Sequence, residues 1–207
     1  PHHIFGLLVA KLTLDAQAQM ADFLTKIAAH GIPCTSFHLS SGYTSIGGKR
    51  YVFHWNRDKF PDPEAFVASY RDAGVRIVAN IKPVLLRDHP RFGEAAAQGL
   101  FVADETGEPT QIQFWGSMGA AIDFTNPAAS YWWRARVTEA LLAKGIAATW
   151  NDNNEYEVWD SRARVHGFGD PRAAAEMRPV QPLLMARASR AAQRAYAPDE
   201  LPYVVTR

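Results

Sequence analysis

Apolar, β-rich runs alternate with amphipathic helical stretches along this chain, and that alternation predicts an α/β fold of parallel strands joined by right-handed crossovers. Two further signs agree. Glycine follows most of the helical stretches, and an Asx-Pro pair opens two of them. Residues 4–9 read as the first strand. Residues 15–29 read as a helix with Met20, Phe23, Leu24 and Ile27 on one face, stopped at Gly31. Residues 32–39 are the second expected strand. Asp62-Pro63 opens the second helix, because Asp accepts hydrogen bonds from free amides and Pro suits the first turn. Phe66, Val67 and Tyr70 give that helix its apolar face, and Gly74 ends it. Residues 75–81 are the third strand. Asn126-Pro127 opens a third helix that runs to Lys144, Gly145 stops it, and residues 146–150 are the fourth strand. A further helix fits residues 170–195, and residues 201–205 are the fifth strand.

Five β/α units fit an open doubly wound sheet or part of an eight-stranded barrel. No G-x-G-x-x-G follows the first strand and no G-x-x-x-x-G-K-[ST] occurs, which weighs against a nucleotide-binding sheet. The expected architecture is a (β/α)8 barrel that is incomplete in this chain. The 207 residues supply about five units, against the roughly 250 residues of a whole barrel. All of residues 1–207 are read as the N-terminal part of that one barrel. An excursion at about residues 84–122, expected to include a hairpin, separates the third and fourth strands.

Composition narrows the function. Hydrophobic residues make up 47% and charged residues 21%, a globular balance. The net charge of +1 lacks the basic excess of a nucleic-acid binder, so no nucleic-acid partner is expected. The longest apolar run, residues 4–10, is far short of the ~20 that span a membrane, so no membrane partner is expected either. A single cysteine, Cys34, excludes a disulfide within the chain and a multi-Cys zinc site. None of the seven histidines forms an H-x-x-x-H pair, and no metal or other cofactor is expected. The chain opens Pro1-His2-His3 without Met or a signal-peptide pattern, as an excised or processed segment would.

In parallel β/α folds the chemistry sits just beyond the carboxyl ends of the strands. Those positions hold His38, Ser40, Ser41 and Tyr43, then Asn80 and Lys82, then Trp150 to Glu155, then Arg207. Asp152 is the sharpest candidate. It follows an apolar strand directly and lies among amides that stabilise a carboxylate, so it could serve as a nucleophile or an electrostatic stabiliser. A turn residue capping a helix fits the same pattern. Glu155 is a second acid or a residue that orients its neighbours. Lys82 is a minor Schiff-base candidate. Cys34, inside a strand, reads as a packed small hydrophobe. Trp55, Trp115, Trp150 and Trp159 stand near Asp, Asn and Arg, as in a site where sugar C–H faces stack on indole. Each also fits a core position, and Trp132 and Trp133 read as core.

Several motifs together resemble glycoside hydrolase family 31, the α-glucosidase family. Trp150-Asn151-Asp152-Asn153-Asn154-Glu155 resembles its W-x-D-M-N-E signature. Asp123-Phe124-Thr125-Asn126-Pro127 resembles D-F-T-N-P, and residues 53–63 resemble F-x-W-x-x-x-x-F-P-D-P. Asn80-Ile81-Lys82-Pro83 lies where the family has I-N-P or I-K-P, and Val205-Thr206-Arg207 resembles the start of T-R-S. The resemblance implies a retaining glycosidase on a (β/α)8 barrel without cofactor, acting on a carbohydrate substrate. Asp152 matches the nucleophile that forms a glycosyl-enzyme intermediate. Trp115 and Trp150 match pocket aromatics, Arg207 matches an arginine that reaches sugar hydroxyls, and Glu155 matches a supporting glutamate. Lys82 and Tyr43 complete the expected substrate contacts.

Two departures from the family pattern carry expectations of their own. The acid/base aspartate lies beyond T-R-S in the family, so these 207 residues are expected to be inactive alone. The stretch His38-Leu39-Ser40-Ser41-Gly42-Tyr43 replaces an often acidic H-L-D-I-D-Y, as in a subgroup that includes α-glucosyltransferases. Transglycosylation, or sugar binding without catalysis, are the alternative readings. A five-strand barrel piece is also expected to self-associate through its exposed sheet edges.

Overall fold

A computed structural model describes residues 7–10 and 16–206, with side chains from residue 16 onward. The first strand, β1 (Leu7–Ala10), is the latter part of the expected one, and the remainder of that expectation lies outside the described residues. Helix α1 (Gln17–Ala29) buries Met20 and Ile27 and half-buries Phe23 and Leu24, the face its spacing predicts. Strand β2 (Cys34–Leu39) follows. A 3-10 turn at Ser41–Thr44 then leads into a small hairpin of β3 (Ser45–Ile46) and β4 (Lys49–Arg50). Helix α2 (Pro63–Asp72) starts as expected: Asp62 Oδ1 accepts from the Ala65 amide at 2.9 Å and Pro63 holds the first turn. Its buried Phe66, Val67 and Tyr70 cover β5 (Arg76–Ile81).

The excursion is more regular than a hairpin. β6 (Val84–Leu86), the short helix α3 (Phe92–Ala97), β7 (Ile112–Phe114) and β8 (Ser117–Ala121) build a three-stranded antiparallel sheet in the order β6-β8-β7. Gly119 is required at its centre. A Cβ there would stand 2.5 Å from the Leu85 carbonyl oxygen and 2.9 Å from Val84 Cγ1. We expect Gly119→Ala to cost about 1–3 kcal/mol, read from denaturant midpoints. An unchanged midpoint would show that the excursion yields freely.

Helix α4 (Pro127–Ala140) is capped by Asn126, whose side chain accepts from the Ala128 amide. A 3-10 turn carries the chain to Gly145, which takes the left-handed conformation that glycine adopts without strain. Strand β9 (Ala148–Asn151) follows. The single helix expected over residues 170–195 is divided. β10 (Arg164–Val165) pairs with β11 (Arg172–Ala173), then come α5 (Ala174–Met177), a 3-10 turn at Arg178–Val180, and α6 (Gln181–Tyr196). Pro179 and Pro182 are the reason: each lacks an amide hydrogen and suits only the first turn of a new helix. The last strand, β12 (Val204–Thr206), is shorter than expected and shifted toward the C-terminus.

The five expected strands pair in one parallel sheet, in the order β1-β2-β5-β9-β12. Each new strand therefore joins the same edge. A doubly wound sheet reverses direction at a switch point, and this one does not. It winds as a barrel does, and within this chain it is open. Alternation assigns the two faces. Phe37, Leu39, Ile77, Ala79 and Ile81 point to the helices and join the core. Thr149 and Asn151 also face α6, where Gln193 and Ser189 donate to them. His38, Val78, Asn80, Ala148 and Trp150 share the opposite face by register. Trp133 centres the helix-side core, with Phe53 at 4.7 Å, Phe124 at 5.1 Å, and its indole N–H donating to Ser189 Oγ. Trp132 is buried as well, so both read correctly as core.

Candidate active site

The register of two neighbouring strands makes the site. Asn80 of β5 lies opposite Trp150 of β9, and Ile81 opposite Asn151. One residue further on, the Asp152 amide donates to the Ile81 carbonyl at 2.9 Å, so Asp152 emerges at the carboxyl rim of the sheet. Lys82 emerges beside it. Lys82 Nζ lies 2.6 Å from Asp152 Oδ2, and Asn80 Nδ2 donates to the same oxygen at 3.0 Å. Lys82 also donates to Asn153 Oδ1. Both members of the pair are largely shielded, with 4% of the Lys82 side chain and 12% of the Asp152 side chain exposed.

Burial pushes the Asp152 carboxyl up, but the hydrogen bonds from Lys82 and Asn80 and the Lys82 charge outweigh it and hold it below the usual carboxylate range. Burial pulls Lys82 below its ordinary value, against the opposing pull of Asp152. The result is a carboxylate that stays ionised, clamped through one oxygen by two donors. That is what a nucleophile or a stabiliser of a developing cation needs.

Two indole rings lie near this rim. Trp150 shares the inward face and lies 6.1 Å from the His38 ring. Burial lowers the pKa of His38, which favours the neutral imidazole, and its Nε2 has no hydrogen-bond partner among the described residues. Trp115, at the turn between β7 and β8, has Arg50 5.3 Å and Lys82 5.5 Å from its ring centroid. Two cations hold this exposed ring in place. Beside it a cavity of about 190 Å³ is lined by Phe114, Trp115, Asn153, Glu155 and Tyr156 among others. Trp115, Asn153 and Tyr156 all take positive φ, at 43°, 49° and 53°. Non-glycine residues cluster in that region where a surrounding structure over-determines them, commonly at functional sites.

The expected site residues fare unequally. Asp152, Lys82, Trp115 and Trp150 come to one rim, and Glu155 lines the adjoining cavity. The main-chain oxygen of Glu155 accepts from Arg178 Nε at 2.7 Å. Tyr43 requires a correction as a substrate contact. It is fully buried against Trp55, and its hydroxyl donates to the Asn80 carbonyl at 2.9 Å, so it braces the site from behind. Trp55 is likewise core, its indole N–H bonded to the Ala140 carbonyl. Trp159 is exposed over Arg178. Lys82 as a Schiff-base lysine does not fit an ammonium locked against a carboxylate. Cys34 lies within β2, and burial raises its thiol pKa. Arg207 lies outside the described residues.

Sequence reading did not single out Asn80 as the second donor to Asp152, although its place at a strand end was a signal. Arg50 was missed for want of any signal, since it lies in a two-residue hairpin strand. Asp123 is a buried hub rather than a rim residue. It accepts from the Thr125 amide and hydroxyl, from Gln181 and from the His166 amide, and so ties α6 and the 164–170 loop to the sheet. No group of three or more His, Cys, Asp and Glu among the described residues could hold a metal ion. No described helix is long and apolar enough to cross a membrane.

Parallel strands that each join the same edge, with functional side chains at their carboxyl rim, define the class as a β/α-barrel type of domain. The chain belongs to glycosyl hydrolase family 31: the model of that family's TIM-barrel domain matches residues 1–207. The alpha-xylosidase XylQ of Lactiplantibacillus pentosus is 29% identical over 157 residues, covering 75% of this chain and 20% of the relative. A probable glucan 1,3-alpha-glucosidase of Oryza sativa subsp. japonica is 32% identical over 152 residues, covering 68% and 16%. The structure of a Flavobacterium johnsoniae GH31 dextranase complexed with glucose superposes with a TM-score of 0.89 at 20% identity, over 100% of this chain and 26% of that one. The chain thus spans about a fifth of the length of the curated relatives it matches.

Proposed function

We propose that this chain is the nucleophile-bearing part of a retaining α-glycosidase. The observation that carries the reading is the ionised Asp152 carboxylate clamped by Lys82 and Asn80 at the strand rim. In the first step Asp152 bonds to the anomeric carbon, the glycosidic C–O bond breaks, and an acid protonates the leaving oxygen. In the second step the same group, now a base, takes a proton from water, which displaces Asp152. The acid/base must stand about 5–5.5 Å from Asp152, and we assign it to a part of the parent protein outside these 207 residues. On this reading the fragment alone is inactive. Trp150 and Trp115 face the ring's C–H surfaces, Arg207 reaches its hydroxyls, and Glu155 supports the cavity wall. The substrate class is an α-glucoside or a related oligosaccharide.

The test uses the full-length protein and a fluorinated glycoside whose leaving group departs but whose intermediate hydrolyses slowly. The expected result is one sugar adduct on the peptide containing Asp152, read by mass spectrometry. A label elsewhere, or binding with no adduct, would overturn the mechanism and leave a non-catalytic sugar-binding domain. The Ser40-Ser41-Gly42 stretch favours a second reading, in which a sugar hydroxyl replaces water. New glycosidic linkages among the products would establish transfer, and free monosaccharide alone would exclude it.

A further inference from the structure

A sizeable groove lies away from the rim. It runs between α4 and α6 on the helix side, with a volume of about 340 Å³, within the usual range for a small-molecule pocket. Phe124 and Leu184 form apolar walls, and Tyr131 and Phe168 stand at the surface with 67% and 59% of their area exposed. Phe168 is held at φ 61°, a left-handed conformation that an aromatic residue rarely takes. Two guanidiniums, Arg134 and Arg187, complete the lining, and no Asp or Glu lines it.

The charge around this groove is one-sided. Helix α6 carries Arg187, Arg190 and Arg194 and no acidic residue. The one acid of α4, Glu139, pairs with Arg91 and Arg136 instead. The Arg134 guanidinium lies over the Tyr131 ring at 5.4 Å, and a guanidinium stacked on a ring keeps its N–H donors for an anion. Neither Arg134 nor Arg187 makes an ion pair among the described residues.

An apolar trough of this size with two such guanidiniums is complementary to one kind of ligand. We infer that the α4–α6 groove binds a compact organic anion, a ring-sized apolar body carrying a phosphate or carboxylate. The ring lies against Phe168, Tyr131 and Leu184, and the anionic group is gripped by Arg134 and Arg187. This site is separate from Asp152 and does not rest on the glycosidase reading.

The test is calorimetric titration of the full-length protein with three probes. These are 4-nitrophenyl phosphate, inorganic phosphate for the charge alone, and the uncharged 4-nitrobenzyl alcohol for the ring alone. The aryl phosphate is expected to bind one per chain and at least about tenfold more tightly than either control. Arg134→Gln and Arg187→Gln should each weaken it about tenfold or more, and Phe168→Ala less so. Loss of binding in the arginine variants places the probe in the groove rather than at the rim. No binding of the aryl phosphate at millimolar concentration would overturn the proposal. So would binding that the two arginine variants leave unchanged, or equal binding of either control.

Discussion

Asp152→Asn in the full-length protein should lower kcat/KM on an aryl α-glucoside by at least about 10⁴-fold. The amide is nearly the same shape as the carboxylate, so the fold is kept. It carries no charge, however, and cannot form the ester to the anomeric carbon. Substrate should still bind, because the indole walls of Trp115 and Trp150 are untouched. A second variant separates chemistry from structure. Asp152→Gly with added azide should regain turnover, because azide enters the space left by the side chain and attacks the anomeric carbon from the same face. The product would be a glycosyl azide of inverted configuration. A purely structural carboxylate would give no such product. An Asp152→Asn enzyme with near-normal rate would end the nucleophile assignment.

Lys82→Met should produce the second large effect, on both pH dependence and stability. The Asp152 carboxyl is under two opposed influences: burial pushes it up, while Lys82 and Asn80 pull it down and prevail. Removing Lys82 leaves the burial and deletes the stronger pull, so the carboxyl pKa rises. The acidic limb of kcat/KM follows ionisation of the free enzyme's nucleophile and should move to higher pH. Activity lost at low pH should return in part as pH is raised. A loss that is uniform across pH would assign Lys82 to substrate contact instead.

Stability moves in step. A carboxyl with a depressed folded pKa contributes stability above its unfolded value near ~3.9, and that contribution is lost as pH falls through the folded value. With Lys82 gone that contribution shrinks, and ionised Asp152 loses the Lys82 counter-ion in a largely shielded site. Breaking such a pair costs about 3–5 kcal/mol near neutral pH. Denaturant unfolding should show it, and Lys82→Met with Asp152→Asn together should recover much of the loss, since no lone charge remains. Simple additivity of the two single variants would mean that the pair is not coupled.

Family membership is shown for this stretch, and the relatives extend well beyond it. The matched relatives are about four to five times longer than this stretch. The mechanism therefore rests on Asp152 and its two donors, which are here.

The strands and helices were legible because local physics wrote them. Asp62-Pro63 and Asn126-Pro127 each satisfy the free amides of a helix start, and both helices begin there. Apolar residues at helical spacing in α1 and α2 became buried faces. Asp152 was found because its place after an apolar strand is a local fact. The division of residues 170–195 was legible too, in Pro179 and Pro182, but their spacing was read as one helix. Which way the sheet winds, and what surrounds Asp152, were not local facts. Lys82 lies 70 positions from Asp152 in the chain and Arg50 lies 32 from Lys82, and only strand register and the excursion's fold bring them to one ring of indole. Tyr43 shows the converse. Its residue type and its place near a strand end suggested a substrate contact, but packing against Trp55 turned its hydroxyl into a brace for Asn80. The sequence by itself determined the elements and the candidate nucleophile, because capping, periodicity and strand ends act over a few residues. The tertiary structure alone decided the partners that hold that carboxylate ionised, because electrostatic contact depends on distance in space and not along the chain.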